Sequence, residues 1–491
     1  MQIGEMIRRA ARLYGDAPAV SCEGRTLSFR EFDAATDRVG NALLAKGLRP
    51  GDRVGVLLPN GIEVLVAYYA LAKSGLVRVG LNSRETMREH THKMSDSGAR
   101  ALIGDGSISL DVEMSFGLED LARMARDGAS TPCAVDREMD APLRMGYTGG
   151  TTGKSKGVIL TTRGEVAEIA NYLVDYVPDI RKGDTMLHAS PIAHASGSFF
   201  LPHLVRGARS VIMPKFDPGK FVELAEREQA TTTFAVPTMI VTILEQPGLA
   251  KAKLNLRRLC YGAAPIAPAV AERAQAAFGK VLAQTYGQTE APMTITCLQP
   301  EDHDRVGSAG RPYSFVEVRI VDENDQPVPT GEAGEVCARG EIVMKGYWNN
   351  PEATAKTLRG GWLHTGDIGR LDADGFLYLV DRKNDLLISG GFNVYPREVE
   401  DVLLGLPGVR EAAVVGLPDE KWGDRVHAVV AGSSELDGKQ LLEALRGNIA
   451  DYKRPRGIDV WPEIPKSAAG KILRREVRDR LIATSKGEAN K

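Results

Sequence analysis

Residues 147–157 read Tyr147-Thr148-Gly149-Gly150-Thr151-Thr152-Gly153-Lys154-Ser155-Lys156-Gly157. Four glycines, three threonines and two lysines sit between two apolar runs. Glycine lets backbone N–H groups come close to phosphate oxygens, and hydroxyl and ammonium groups add donors and charge. The stretch reads as a loop that cradles the phosphates of a nucleotide. A flexible linker rarely concentrates threonine and lysine in this way. Gly153-Lys154-Ser155 approaches the pattern G-x-x-x-x-G-K-[ST], but its leading glycine falls on Thr148. A P-loop NTPase is therefore the second reading.

Outward from the loop, short apolar strands alternate with helical patterns. Ser28 and Glu31 form a capping-box pair ahead of Phe32, Val39, Leu43 and Leu44. Val54 to Leu58 reads as a buried strand ended by Pro59-Asn60-Gly61, and Ile62 to Lys73 as a helix. Ala101 to Ile103 and Ser210 to Met213 read as further strands. Such alternation predicts an α/β architecture with largely parallel sheets. The polar, turn-rich residues 322–334 predict a hairpin loop, with Glu335 to Ala338 and Phe376 to Val380 as strands. A boundary falls at Asp381 to Asp385, and the last hundred or so residues read as a small α/β unit. Its final helix, Lys471 to Leu481, sets Leu473, Val477 and Leu481 on one face and bases on the other. That basic face reads as a solvated surface, with phosphate contact as the functional alternative.

The 491 residues are 43% apolar and 26% charged, which excludes a mainly disordered chain. A net charge of -2 gives no global case for nucleic-acid binding. Cys22, Cys133, Cys260, Cys297 and Cys337 lie far apart without a CxxC pair, so neither a zinc knuckle nor a disulfide framework is expected. This usage suits a reducing compartment. The opening MQIGEMIRRAARLYG lacks an apolar h-region, so a secretory leader is not expected and a cytoplasmic location is. The longest apolar run, Val64 to Ala72, is under half of a membrane span.

Four further islands complete the pattern: Tyr286 to Glu290 (YGQTE), Trp362 to Asp367 (WLHTGD), Asp381 to Glu400 (DRKNDLLISGGFNVYPREVE) and Pro465 to Arg475 (PKSAAGKILRR). With the loop at 148–157, and in this order, they resemble the AMP-forming acyl-CoA synthetases. These belong to the adenylate-forming superfamily, with luciferase and peptide-synthetase adenylation domains. The resemblance runs from about Leu27 to Arg475. It implies an acetyl-CoA synthetase-like fold. A large N-terminal domain (1–381) with parallel-rich sheets flanked by helices would join, through a hinge at 382–384, a small mobile α/β domain (385–491). It also implies two half-reactions. A carboxylate attacks the α-phosphate of ATP, giving an acyl-adenylate and pyrophosphate; the CoA thiol then displaces AMP.

The resemblance implies roles residue by residue. Thr148, Thr151, Thr152 and Lys156, with Gly150 and Gly153, match the β- and γ-phosphate contacts. Gly149 stands where the family usually has Ser, and Ser155 where it often has Pro; altered ATP affinity is expected. Tyr286 and Gly287 match the adenine contact, Thr289 the α-phosphate contact and Glu290 the Mg²⁺ carboxylate. Gly262, Ala263 and Ala264 match the small-residue turn of the adenine and acyl pockets. Asp367 matches the acceptor of the ribose hydroxyls and Arg382 a ribose and phosphate contact. Asn384 stands at the hinge position, where Asp or Lys is usual. Lys471 matches the adenylation lysine, an ammonium that draws carboxylate and α-phosphate together. Gly390 and Gly391 match the pantetheine tunnel, and His194 the histidine near the acyl carboxylate. His90 and His92 form an isolated HxH without companion ligands and read as surface residues.

The implied cofactors are ATP, Mg²⁺ and CoA, and the implied partner is a carboxylic acid; a homo-oligomer stays open. Competing readings are transfer to a carrier-protein thiol, the P-loop NTPase, and a binding protein with a dead site. Intact Lys471, Glu290 and Asp367 argue against the last. The length and the KWGD segment (421–424) look similar to bacterial fatty-acid and aryl-acid ligases. Phe199, Phe200, Phe234 and Met239 are readable as an acyl tunnel or as core. A medium- or long-chain fatty acid is expected first, an aromatic acid second. A dicarboxylic acid ranks below both, since no pocket arginine is identifiable.

Overall fold

The computed structural model describes residues 1–491 except 84, 134, 149–154, 265, 383–386, 390–391, 420–421, 447, 467–471 and 489–491. The expected local signals are realised. Ser28 caps the Phe29–Ala45 helix: its Oγ accepts from Glu31 N–H at 3.2 Å, and Glu31 accepts from Ser28 N–H at 2.8 Å. Phe32, Val39 and Leu43 then meet the core on one stripe. The Ile62–Lys73 helix is buried nearly all round, as its unbroken apolar run requires.

Three sheets carry the described residues. One has the strand order Gly346–Tyr347, Gly157–Thr161, Pro142–Tyr147, Val77–Gly80, Arg53–Leu57, Ala101–Gly104, Met114–Phe116. The second holds a parallel run of Pro18–Cys22, Arg209–Ile212, Thr185–His188, Thr232–Ala235, Arg258–Tyr261 and Leu282–Gln288. From Ala291–Leu298 onward the same sheet continues antiparallel, through Ser308–Pro312, Leu377–Arg382, Leu363–Leu371, Gly334–Arg339 and Glu317–Val321. The expectation of largely parallel sheets holds only where helices intervene. Between 291 and 382 few helical residues separate the strands, and a parallel return needs a longer crossover. The expected 322–334 loop does connect two antiparallel strands.

The third sheet, built from 387 onward, joins Phe392–Val394, Leu387–Ser389, Gly423–Gly432, Val409–Asp419 and Ile458–Val460. The last helix is Arg474–Glu488, so it starts later than the sequence suggested. Val477 and Leu481 are buried, but Leu473 precedes the helix and is exposed. Part of the basic face is structural: Arg474 forms a two-point ion pair with buried Glu400, at 2.7 and 3.0 Å. All five cysteines are unpaired thiols. Among the described residues no helix is long and apolar enough to cross a membrane.

Candidate active site

The phosphate-loop candidate hangs from a β-hairpin. Pro142–Tyr147 and Gly157–Thr161 pair antiparallel, with Tyr147 opposite Gly157 at the mouth. One step further Thr148 N–H donates to the Lys156 carbonyl at 3.2 Å, and Lys156 N–H reaches Thr148 Oγ1 at 3.4 Å. The stem thus places Thr148 and Lys156 side by side. Gly149, Gly150, Thr151, Thr152 and Gly153 lie outside the described residues. Tyr147 anchors one arm, its hydroxyl donating to Asp96 Oδ2 at 2.8 Å. Burial, with the Asp96 carboxylate beside it, raises that phenol's pKa and keeps it a donor.

A second hairpin, Leu282–Gln288 with Ala291–Leu298, turns through Thr289 and Glu290. It is drawn tight at Gly287, where a Cβ would stand 2.5 Å from Met293 N, so the position admits only glycine without a backbone shift. Thr289 lies against the phosphate-loop stem: a Cβ at Gly146 would meet its methyl at 2.7 Å. Glu290 is fixed at two points. Its carbonyl accepts from Met344 N–H at 2.7 Å, and its Oε1 accepts from the Tyr347 hydroxyl at 2.7 Å. The Lys156 ammonium stands 4.3 Å from the centre of the same Tyr347 ring, a cation–π distance. Lys156, Tyr347 and Glu290 therefore form one cluster at the loop mouth.

At the other end of this segment the Tyr286 hydroxyl donates to Asp367 Oδ2 at 2.5 Å. Asp367 is 7% exposed. Its backbone is set by Gly366, at φ +71°, and by Thr365, whose Oγ1 accepts from Asp367 N–H at 3.1 Å and donates to the Val336 carbonyl at 2.7 Å. Arg382 is the ladder partner of Asp367. Beside Tyr286 the Arg258–Tyr261 strand runs out into Gly262, Ala263 and Ala264. A Cβ on Gly262 would meet the Thr285 carbonyl at 2.7 Å, and Ala263 takes a left-handed φ of +67°. Small residues are what such a turn tolerates.

His194 follows the Thr185–His188 strand and precedes the Ala195–Phe199 turn. Asn60 holds this loop from the neighbouring sheet: its amide donates to Ser190 and Met213 carbonyls at 3.2 and 3.1 Å and accepts from Ile192 N–H at 2.9 Å. The Asn82 side-chain amide meets His194 Nε2. These pieces collect beyond the carboxyl ends of parallel strands, where open α/β sheets bind ligands.

Several residues of the site escaped the sequence reading. Tyr347 and Asn82 belong to none of the five islands. The surface reading of His90 and His92 is corrected. His90 is 2% exposed, and its Nε2 donates to the Asn82 carbonyl at 2.9 Å. His92 Nε2 donates to the Ser155 carbonyl at 2.8 Å. A signal was present, since His90, Lys93, Met94 and Ser97 make a buried stripe at i, i+3, i+4, i+7 spacing. Phe199, Phe200, Phe234 and Met239 are buried core residues spread over three clusters. Lys471, Gly390, Gly391 and Asn384 lie outside the described residues. Among those described, no three His, Cys, Asp or Glu side chains gather as a metal cage. A lone carboxylate such as Glu290 fits Mg²⁺, which takes one or two carboxylates and completes its shell with water and phosphate oxygens.

Comparison with known proteins adds sequence and fold relatives. Residues 7–348 match the family described as AMP-binding enzyme, and residues 398–471 its AMP-binding enzyme C-terminal domain. Feruloyl-CoA synthase from an Amycolatopsis species is 39% identical, over 98% of this chain and 99% of its own length. A medium/long-chain-fatty-acid–CoA ligase of Mycobacterium tuberculosis is 36% identical, over 97% of this chain and 90% of its own. The o-succinylbenzoate CoA synthetase of Bacillus subtilis, solved with its acyl-adenylate intermediate, superposes with a TM-score of 0.89 at 32% identity. That match covers 96% of this chain and 97% of that one.

Proposed function

The chain belongs to the AMP-binding enzyme family, and we propose that it works there as an ATP-dependent acid–CoA ligase. It joins a carboxylic acid to AMP with loss of pyrophosphate, then passes the acyl group to CoA and releases AMP. The observation that carries this reading is the Tyr286–Glu290 segment. One end meets the ribose candidate Asp367, and the other meets the cluster of Glu290, Tyr347 and Lys156. A nucleoside and its phosphates need those two chemistries at the two ends of one short stretch.

Within that reading, Tyr286 and the 262–264 turn hold the adenine, and Asp367 accepts the ribose hydroxyls. Thr148, Lys156 and the loop residues 149–153 hold the β- and γ-phosphates, and Thr289 the α-phosphate. Glu290 would hold Mg²⁺, which when bound neutralises phosphate charge. His194 orients the acid carboxylate, with Asn82 steadying its ring. Lys471 supplies the ammonium that brings carboxylate and α-phosphate together, and Gly390 and Gly391 line the path of the thiol. The division into 1–381, a hinge at 382–384 and a mobile 385–491 belongs to the same proposal; the gap between the two family matches, 349–397, spans that hinge.

For the acid, the packing supports a compact aromatic one over the long chain expected first. Tyr172, Tyr176, Phe199 and Phe234 pack against one another with ring centroids 4.9–5.7 Å apart, and all are fully or almost fully buried. We take these close-packed rings as a wall that limits the length of the acid. The likeness to feruloyl-CoA synthase points the same way. The test is pyrophosphate release from ATP and Mg²⁺ against a panel of aryl, arylpropenoic and fatty acids, with and without CoA, with products weighed by mass spectrometry. Acid-dependent pyrophosphate with an aryl-CoA product supports the whole reading. Preference for dodecanoic acid removes the aromatic assignment, an adenylate without CoA product points to a carrier protein, and acid-independent orthophosphate overturns the ligase.

A further inference from the structure

We propose that the Met87–Ser97 helix is a positioning element that fixes the spacing between the acid carboxylate and the ATP phosphates, with His92 holding the phosphate-loop stem at Ser155 and His90 holding Asn82, which in turn meets His194. The inference rests on the ligase reading and adds residues that none of the sequence islands contains.

The helix is defined at both ends. Thr86 and Glu89 form a reciprocal capping box, and Gly98 stops the helix in a left-handed conformation at φ +60°. Its residues face two ways. His92 and Asp96, four apart and so on one face, meet the phosphate-loop stem. His92 Nε2 donates to the Ser155 carbonyl at 2.8 Å, immediately before Lys156. Asp96 accepts the Tyr147 hydroxyl at 2.8 Å, and the same hydroxyl lies 3.2 Å from the Lys93 carbonyl. Both arms of the loop, at Tyr147 and at Ser155, are thus tied to one rod. The Asp96 carbonyl also accepts Trp348 Nε1–H at 3.1 Å, beside the Tyr347 that orients Glu290.

His90 faces the other way. Its Nε2–H donates to the Asn82 carbonyl at 2.9 Å, and the Asn82 side chain meets His194 Nε2. Glu85 braces this corner, accepting Asn82 N–H at 3.3 Å and pairing with Lys93. A bond at the α-phosphate forms only when carboxylate and phosphate are held at near-attack distance. Two histidines on one capped helix, one bonded to the loop stem and the other linked to His194 through Asn82, set that distance. Each acts through another residue, His92 through the Ser155 carbonyl and His90 through Asn82, so both are positioning residues.

The experiment is acid-dependent ATP–pyrophosphate exchange, run on the full chain with the best acid of the panel. His92→Ala is expected to raise the KM for ATP roughly tenfold and leave the acid KM within about twofold, the size of one lost hydrogen bond. His92→Gln keeps a side-chain N–H of similar reach and should restore most of the loss. Asn82→Ala and His90→Ala should do the reverse, raising the acid KM and sparing that for ATP. Asn82→Ala carries the acid arm by itself if His90→Ala fails to fold. Equal shifts of both KM values in both sets, or variants with KM and kcat both unchanged, overturn the proposal. Absence of exchange in the unaltered protein removes the ligase reading first and this inference with it.

Discussion

Tyr286 and Asp367 share one hydrogen bond of 2.5 Å across strands that are 81 residues apart in sequence. The phenol holds the carboxylate in place, and the carboxylate holds the ring over the space beside the 262–264 turn. The two halves of the proposed nucleoside site are thereby one unit. Replacing the hydroxyl alone separates their contributions. Tyr286→Phe keeps the ring and should raise the KM for ATP only about three- to tenfold. Asp367→Ala removes the proposed ribose acceptor and should cost roughly a hundredfold. Exchange kinetics with ATP and 2′-deoxy-ATP check this. The aspartate variant should lose discrimination between them, while the phenylalanine variant keeps it.

Tyr347 joins two charges of opposite sign, since its hydroxyl bonds Glu290 and its ring faces Lys156. Burial first, and then the Glu290 charge, raise its phenol pKa above the ordinary value. The neutral donor form therefore persists into alkaline solution. Tyr347→Phe keeps the ring and should raise the Mg²⁺ concentration for half-maximal exchange roughly fivefold. Tyr347→Ala also removes the cation–π contact and should lower apparent ATP affinity by a further factor of roughly two to five. Titration of Mg²⁺ at fixed ATP, with each variant, distinguishes the two losses. Identical curves for Phe and Ala would show that the ring does nothing for Lys156.

Much of this was legible along the chain, for reasons that differ by residue. Phosphate binding needs glycine beside hydroxyls and ammonium groups, so the 147–157 stretch stands out locally as a candidate. The Ser28 cap and the Ile62–Lys73 helix are set by neighbours within one turn, and these too were readable. The antiparallel half from 291 to 382 was not, because strand direction depends on pairing at long range rather than on periodicity. Tyr347, Asn82, His90 and His92 were missed for a related reason. Each acts through a partner at least eight residues away, and a single histidine or tyrosine carries no local sign of what it will meet. Phe199 and Phe234 were ambiguous because a core wall and a ligand wall have the same composition; only their mutual packing distinguished them.

Gly287 tests how tightly the Thr289–Glu290 turn is built. A Cβ there would stand 2.5 Å from Met293 N, 2.7 Å from Met293 C and 2.8 Å from the Ala291 carbonyl oxygen. All three are backbone atoms and cannot swing aside. Gly287→Ala should therefore destabilise the fold by about 2 kcal/mol or more and displace Thr289 from Gly146. Thermal melting and exchange activity should fall together. An unchanged melting temperature would mean that the hairpin is looser than this spacing requires.

Acid stability follows from three buried groups that titrate with opposite signs. His188 lies between Ser196 and Ser210, and burial pushes its pKa down to about 3. His203, bonded to the Phe199 carbonyl, is pushed down to about 4 for the same reason, with Asp184 and Asp179 drawing it up and Arg257 down. Both stay neutral in the fold but take a proton on unfolding below about pH 6.5. Their stabilisation is full above that pH and falls as pH drops, by up to ~1.4 kcal/mol per unit for each. Glu168 runs the other way. Burial raises its carboxyl to about 7, against the charge of Arg144 at 3.0 Å. Its contribution is full below the unfolded value of about 4.5 and is lost as pH rises through 7. Between pH 6.5 and 4.5 the glutamate thus offsets one of the two histidines. Glu168→Gln removes the offset, so its melting temperature should fall more steeply than that of the unaltered protein across this window. Scans of both proteins at half-unit steps of pH measure the two slopes, and equal slopes would mean that Glu168 is already ionised in the folded protein.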